Sequence, residues 1–127
     1  MPLTYAGQNL IASALFGNSI TAFSNANAYI GVGDSSSAFS QSQTDLQAST
    51  NKYRNPIDAT FPTLTGSNTL TYQSTFATGI ANYAWNEWGV FNASSGGTML
   101  NRKQESLGTK ASTQSWQFTV TLTINAE

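Results

Sequence analysis

The segment 114–124, QSWQFTVTLTI, alternates apolar and polar side chains over almost its whole length. A period of two is typical of a β-strand with one dry face, because successive side chains of a strand point to opposite faces of the sheet. The segment therefore predicts a strand whose apolar face needs another layer to cover it. The residues on that face are Trp116, Phe118, Val120, Leu122 and Ile124.

A second segment, ANYAWNEWGVFN at 81–92, predicts a strand that is apolar on both faces. Strict alternation places Tyr83, Trp85 and Phe91 on one face and Trp88 and Val90 on the other. A strand of this kind lies between two layers or under another subunit. We therefore expect it at the centre of the fold or of an assembly.

The rest of the chain predicts one helix and four further strands. Apolar residues at helical spacing indicate a helix over 5–16, and Gly17 stands where a helix C-cap glycine is expected. Pro56 marks its strand as an edge strand, because proline cannot donate a ladder hydrogen bond. The small and glycine residues 93–97 predict a hairpin loop. The four further strands are predicted at 27–33, 52–58, 69–76 and 98–103.

These elements define a fold class. One short N-terminal helix and six strands without β-α-β alternation predict a mainly β protein, either an antiparallel β-sandwich or a partly open barrel. A chain of 127 residues is long enough to bury a core without disulfides, and it predicts a single domain over 1–127.

The composition argues against charged partners. Charged residues make up 9% of the chain, against about 25% in typical soluble domains, and the net charge is -1. Nucleic acids and anionic membranes are bound through clustered basic groups, so neither is a predicted partner. The amino terminus has no basic segment followed by an apolar run, so no signal peptide is predicted and we expect synthesis in a cytoplasm.

Cysteine and histidine are both absent. Their absence excludes Ser-His-Asp triads, thiol nucleophiles and the usual zinc, copper and iron ligand sets. Asp34 and Asp45, on either side of a Ser-rich stretch, leave an oxygen-ligand calcium site as an alternative, although the spacing of a calcium-binding loop is missing. The prediction is a protein without a metal or cofactor.

Glu87 is the most unusual charge in the sequence, because it lies between Trp85 and Trp88. An isolated buried carboxylate costs several kcal/mol, so Glu87 needs a partner, and Arg102 or Lys103 on the returning strand can supply it. The alternative is a catalytic acid paired with a second carboxylate, as in a glycoside hydrolase, the candidates being Asp58 and Glu105. Few other titratable groups are present to tune such a site, so we predict a structural pair and no enzyme activity.

The aromatic residues allow a second alternative, a carbohydrate-binding module. Flat rings beside Asn and Gln can stack on sugars, and the candidates are Tyr83, Trp85, Trp88 and Trp116. Strand alternation already assigns Trp85 and Trp116 to the core. Trp88 is left open between the two readings.

The order of these motifs resembles one family. The segments AGQNLIASAL, AYIGVGD with its Ser-rich loop, TDLQAST, LTYQSTF and NEWGVFNASSGGTMLNRK resemble the collar-type, fibre-proximal domains of virion proteins of tailed bacteriophages. The strongest part is residues 87–91 followed by Gly96, Gly97 and residues 99–100. Trp88 departs from the family pattern, where an aliphatic residue is more usual.

This resemblance implies a non-enzymatic structural protein of a tailed-phage virion, multicopy and usually trimeric. The size of a stand-alone domain favours a capsid decoration (cement) protein bound to the major capsid protein, assembled in the host cytoplasm. The alternative is a tail-fibre or baseplate attachment protein or a tail accessory protein. Within such an assembly we expect Trp88 and Phe91 to anchor a subunit contact, with Glu87 and Arg102 setting its register.

Overall fold

The computed structural model describes residues 2–125, and residues 1, 126 and 127 of the predicted domain lie outside it. Two antiparallel sheets pack face to face, one in the order β2-β1-β5-β6 and the other in the order β3-β4-β7. The mainly β fold is confirmed, in its sandwich form. The elements are α1 (Tyr5–Phe16), β1 (Tyr29–Gly33), β2 (Lys52–Pro56), β3 (Thr63–Thr65), β4 (Thr69–Phe76), β5 (Ala84–Phe91), β6 (Lys103–Thr109) and β7 (Trp116–Thr123).

The predicted helix is confirmed with its boundaries. The Thr4 hydroxyl caps it by accepting a hydrogen bond of 2.9 Å from the Gly7 N–H, and Gly17 ends it at a φ of 101°. Gly7 is the buried residue of α1, and a β-carbon there would collide with the Leu100 carbonyl. The helix is therefore docked at its first turn and exposed at its last. No helix among residues 2–125 is long and apolar enough to cross a membrane.

The strands agree with the sequence pattern except in the returning arm of the hairpin. In the predicted strand 98–103, Met99 and Asn101 form isolated bridges, and only Lys103 belongs to the regular strand β6. That prediction was wrong because β6, with the sequence KQESLGT, is an edge strand with no buried residue and so carries no apolar alternation. The three-residue strand β3 was not predicted.

A β-bulge in β5 changes which residues share a face. The register with β6 shifts between Trp85 and Glu87. Trp85 therefore joins Trp88 and Val90 in the core between the sheets, while Phe91 lies in a separate cluster on the opposite face. The expectation that Trp85 and Phe91 share a face was wrong, because strict alternation cannot anticipate an inserted residue.

The core between the sheets is centred on Trp85. Its ring lies edge-on to Phe76 at 4.7 Å and to Trp116 at 4.9 Å between centroids. Trp116 comes from the apolar face of β7, which covers the core as the alternation predicted. Such edge contacts add about 0.5–1.5 kcal/mol each to the energy of burial.

Lys110 fixes the connection from β4 to β5. Its Nζ donates to the Ala77 carbonyl and to Asn82 Oδ1, both at 2.7 Å, and the side chain is buried. Burial holds the pKa of Lys110 below its usual value. The turn that crosses between the sheets is thus held by a lysine in addition to the packing of Ala81 and Ile80 on the core.

Tyr72 on β4 carries a buried hydroxyl that donates to the Phe23 carbonyl at 3.2 Å. Burial raises the pKa of Tyr72 to about 12. A tyrosine in the unfolded chain ionises near pH 10. The Tyr72 hydroxyl therefore contributes stability that is present below about pH 10 and is lost as the pH rises toward 12.

We expect Tyr72→Phe to change how the free energy of unfolding depends on pH in alkaline solution. Near pH 8 the variant should be about 1 kcal/mol less stable, because it lacks the hydrogen bond to Phe23. Near pH 11 this deficit should shrink, because the unfolded wild-type chain is then stabilised by ionisation of Tyr72 and the variant is not. Urea unfolding at both pH values measures the difference in the free energy of unfolding between the wild type and the variant. A difference that is the same at pH 8 and pH 11 would contradict the raised pKa of Tyr72.

Candidate functional site

The outer face of the four-stranded sheet, turned away from β7, is covered by residues 34–51, which we call the covering loop. Leu46 of this loop packs on Phe91 and Met99 in a small buried cluster. The side chain of Glu87 also rises from this face of β5 and meets the loop. Glu87, the most unusual charge in the sequence, therefore lies beneath a long loop.

Glu87 and Arg102 form a buried ion pair. Arg102 Nε donates to Glu87 Oε1 at 2.8 Å, and both side chains are 0% exposed. The N–H of Gln47 donates to the same oxygen at 2.7 Å, and the N–H of Ala48 donates to Oε2 at 2.9 Å. The carboxylate therefore has three donors, which is what a buried charge requires.

The remaining nitrogens of Arg102 bind the first half of the covering loop. One terminal nitrogen donates to the Ser37 carbonyl at 3.0 Å and the other to Gln43 Oε1 at 3.3 Å. Together, the two side chains of the pair hold the covering loop at residues 37, 43, 47 and 48. The pair forms as the sequence predicted. Its partners in the loop are three backbone groups and the Gln43 side chain, which no sequence pattern revealed.

Two glycines of β1 make room for this arrangement. Gly33 lies opposite Glu87 in the sheet register, and a β-carbon at residue 33 would collide with the Glu87 carboxylate. A β-carbon at Gly31 would lie 2.6 Å from a ring carbon of Phe91. The motif GVGD thus leaves space for side chains of β5, which is the close approach that glycines within a strand are expected to allow.

A second set of contacts holds the rim of the covering loop. The Arg54 guanidinium lies 3.7 Å from the centroid of the Phe91 ring and donates to the carbonyls of Ala93 and Gly96. Asp45 of the loop pairs with Arg54 at 3.3 Å and with Lys52 at 3.2 Å. Asp45 is 44% exposed in both pairs, so water screens its attraction to the two cations.

The four residues expected at a subunit contact are all buried within one chain. Phe91, Glu87 and Arg102 are fully buried, and Trp88 is nearly so, with its Nε1 donating to Glu105 at 2.9 Å. Trp88 and Phe91 also lie on opposite faces of β5. The burial of both rings within one chain argues against the expectation that they anchor one contact between copies.

The carboxylates proposed for a hydrolase do not face one another. Glu105 lies on the inner side of the sheet with Trp88, whereas Glu87 lies on the outer side. Asp58 is engaged elsewhere, accepting hydrogen bonds from Gln73 Nε2 and from the backbone and hydroxyl of Thr75. The arrangement of two carboxylates on either side of a substrate is not built from these residues.

The aromatic candidates do not form an exposed platform. Trp85 and Trp88 are buried, and Trp116 is half-buried edge-on to Trp85. Tyr83 donates its hydroxyl to the Val32 carbonyl at 3.0 Å, and burial, with the charges of Asp34 and Glu87, raises its pKa above the usual value. The set proposed for sugar stacking thus belongs largely to the interior.

The two aspartates considered for calcium are separately engaged. Asp34 accepts a hydrogen bond of 2.9 Å from Asn51, and Asp45 pairs with the two cations described above. Within residues 2–125 there is no cluster of three or more carboxylates arranged to hold a metal.

The exposed apolar surface lies at the end of α1. Leu15 and Phe16 are 86% and 85% exposed, and Leu15 lies one turn beyond Ile11 on the same helix face. Ile11 lines an apolar depression of about 290 Å³ between α1 and the three-stranded sheet, whose other walls include Ile20, Phe23, Leu70, Leu122 and Ile124. Leu64 continues this surface, because it lies opposite Leu70 in the register of β3 and β4. We call this region the helix-end surface.

Comparison with protein-family models, curated proteins and solved structures found no match.

We expect Arg102→Met to destabilise the fold by about 3–5 kcal/mol, because it leaves the Glu87 carboxylate buried without its cation. The matched control is Lys52→Met, which removes an exposed cation from Asp45 and should cost no more than about 1 kcal/mol. Urea unfolding of both variants measures the difference. Equal losses would show that the buried pair has no special role.

We expect Gly33→Ala to loosen the covering loop, because the added methyl group competes with the Glu87 carboxylate for the same space. Overpacking of this kind costs about 1–3 kcal/mol. Gly79→Ala is the control, since a β-carbon there meets no atom within 4 Å. Hydrogen exchange at Gln47 and Ala48 should accelerate in Gly33→Ala and stay unchanged in the control; unchanged exchange in both would contradict the packing argument.

Proposed function

We propose that this protein is a non-enzymatic structural protein of a tailed-phage virion, present in many copies and bound to the assembled capsid shell. The observation that carries the proposal is the helix-end surface, an apolar area on a chain with few charges. Contiguous exposed apolar patches on soluble proteins mark sites of interaction with other macromolecules. A shell built from repeated subunits presents such a site many times.

The residues behind the family resemblance also favour a structural role. Glu87 holds the covering loop, and a β-carbon at Gly89 would lie 2.5 Å from the Asn101 carbonyl. Met99 packs on Phe91 beneath the loop. The hairpin that resembles phage virion domains thus has a packing reason for its residue types, and none of these side chains is presented to a substrate.

Binding through an uncharged apolar surface suits a lattice. Each contact needs only modest affinity when neighbouring copies seat side by side, because a multivalent arrangement raises the overall strength without new contacts. The low net charge of -1 also limits repulsion between closely spaced copies.

The proposal is tested by sedimenting the purified chain with heads and, separately, with tails from the phage that encodes it. We expect saturable binding to heads. Phe16→Ser should weaken it about tenfold, since the exposed Phe16 ring can be buried only by a partner. Tyr53→Ser is the matched control, because Tyr53 is an exposed aromatic residue on β2, outside the helix-end surface.

Binding to tails alone would reject the shell and place the protein among tail accessory proteins. Binding to neither particle would reject the virion proposal altogether. Equal weakening by Phe16→Ser and Tyr53→Ser would show that the helix-end surface is not the contact.

A further inference from the structure

Strand β7 is an edge strand that lacks the usual protection against pairing with another chain. It runs for 8 residues, has no charged residue and no proline, and pairs with β4 without a register shift. Long, regular and uncharged edges are templates for the addition of another strand. The free edge of β7 is therefore unusual enough to need an explanation.

The other three edges of the sandwich are each protected. Edge strand β2 carries Lys52, Arg54 and Pro56. Edge strand β6 carries Lys103 and Glu105 and is distorted at Gly108, which has a φ of 104°. Edge strand β3 has only 3 residues. Charges, proline, distortion and shortness are the devices that proteins use to block edge pairing, and β7 has none of them.

The register shows which backbone groups of β7 face outward. The N–H of Ile124 donates to the Asn68 carbonyl, so residue 124 points toward the β4 side of the sheet. Backbone direction alternates along an antiparallel strand, so the odd-numbered residues of β7 point away from β4. Their N–H and C=O groups form the free edge. They are Gln117, Thr119, Thr121 and Thr123, and all four side chains are exposed.

We propose that β7 pairs antiparallel with β7 of a second copy, which joins two three-stranded sheets into one continuous sheet. In a register centred on Val120, Thr119 faces Thr121 of the second copy and Gln117 faces its Thr123. Residues whose backbone groups point away from β4 then lie opposite residues of the same kind in the second copy. Each free N–H can therefore donate a hydrogen bond to a free C=O. Residues of the same face also meet, polar with polar and apolar with apolar, and no like charges oppose each other.

A second copy fits this edge because the strand is complementary to itself. The two-fold contact uses the same surface on both subunits, which is the commonest symmetry of soluble homo-oligomers. The pairing needs no virion and does not depend on the proposed function. It differs from the trimer that the family resemblance implies, so the mass of the particle in solution separates the two.

The test is the mass of the purified full chain, by sedimentation equilibrium over a range of concentrations. We expect a dimer in the wild type and loss of the dimer in Thr121→Pro, which removes an outward N–H while leaving the ladder to β4 intact. Thr121→Val keeps the N–H and should remain dimeric. Circular dichroism confirms that each variant is folded.

If Thr121→Pro does not fold, Thr121→Lys replaces it. Its control is Thr71→Lys, because Thr71 lies directly opposite Thr121 on the same face of the sheet, but in the central strand. Only the edge lysine should dissociate the dimer. A monomeric or trimeric wild type, or a dimer that survives the Thr121 proline or lysine, would overturn the proposal.

Discussion

The Glu87–Arg102 pair is the interaction on which the covering loop depends. Two charges removed from water are costly, and their attraction offsets that cost only when every remaining donor and acceptor is satisfied. Here the loop supplies those groups, through the N–H of Gln47 and Ala48 and the carbonyl of Ser37. Because Leu46 and Ala48 are the only buried residues of the loop, its position is set mainly by polar contacts to the pair.

The pair in turn depends on the shape of the sheet beneath it. The bulge before Glu87 lets Trp85 and Trp88 both enter the core while Glu87 turns outward. The glycines of β1 have no β-carbon, and this leaves space on the outer face of the sheet for the Glu87 carboxylate. If the register of β5 changed by one residue, Glu87 would be buried between the sheets and a tryptophan would leave the core. The packing of the core and the ion pair therefore favour the same register.

The sequence predicted the elements that carry a clear period and missed those fixed by long-range contacts. The helix with its C-cap Gly17 and the strand β4 have the boundaries expected, because their signals are local. The bulge in β5 was missed because one inserted residue cannot be recognised from the alternation of apolar and polar residues. The strand β6 was missed because an exposed edge strand has no such alternation. For the site, Glu87 and Arg102 were identified from the cost of burying a charge, whereas the loop that covers them is about 40 residues or more away in the chain and no local pattern connects it.

Because the strongest polar interaction is enclosed within one chain, contacts with other chains must use other forces. The surfaces that remain are the apolar helix-end surface and the backbone edge of β7, and neither carries a charge. Long-range electrostatic steering is then weak, and specificity must come from shape and from strand register. Backbone pairing suits such a chain, since its hydrogen bonds are directional and fix the partner's orientation without any charged side chain.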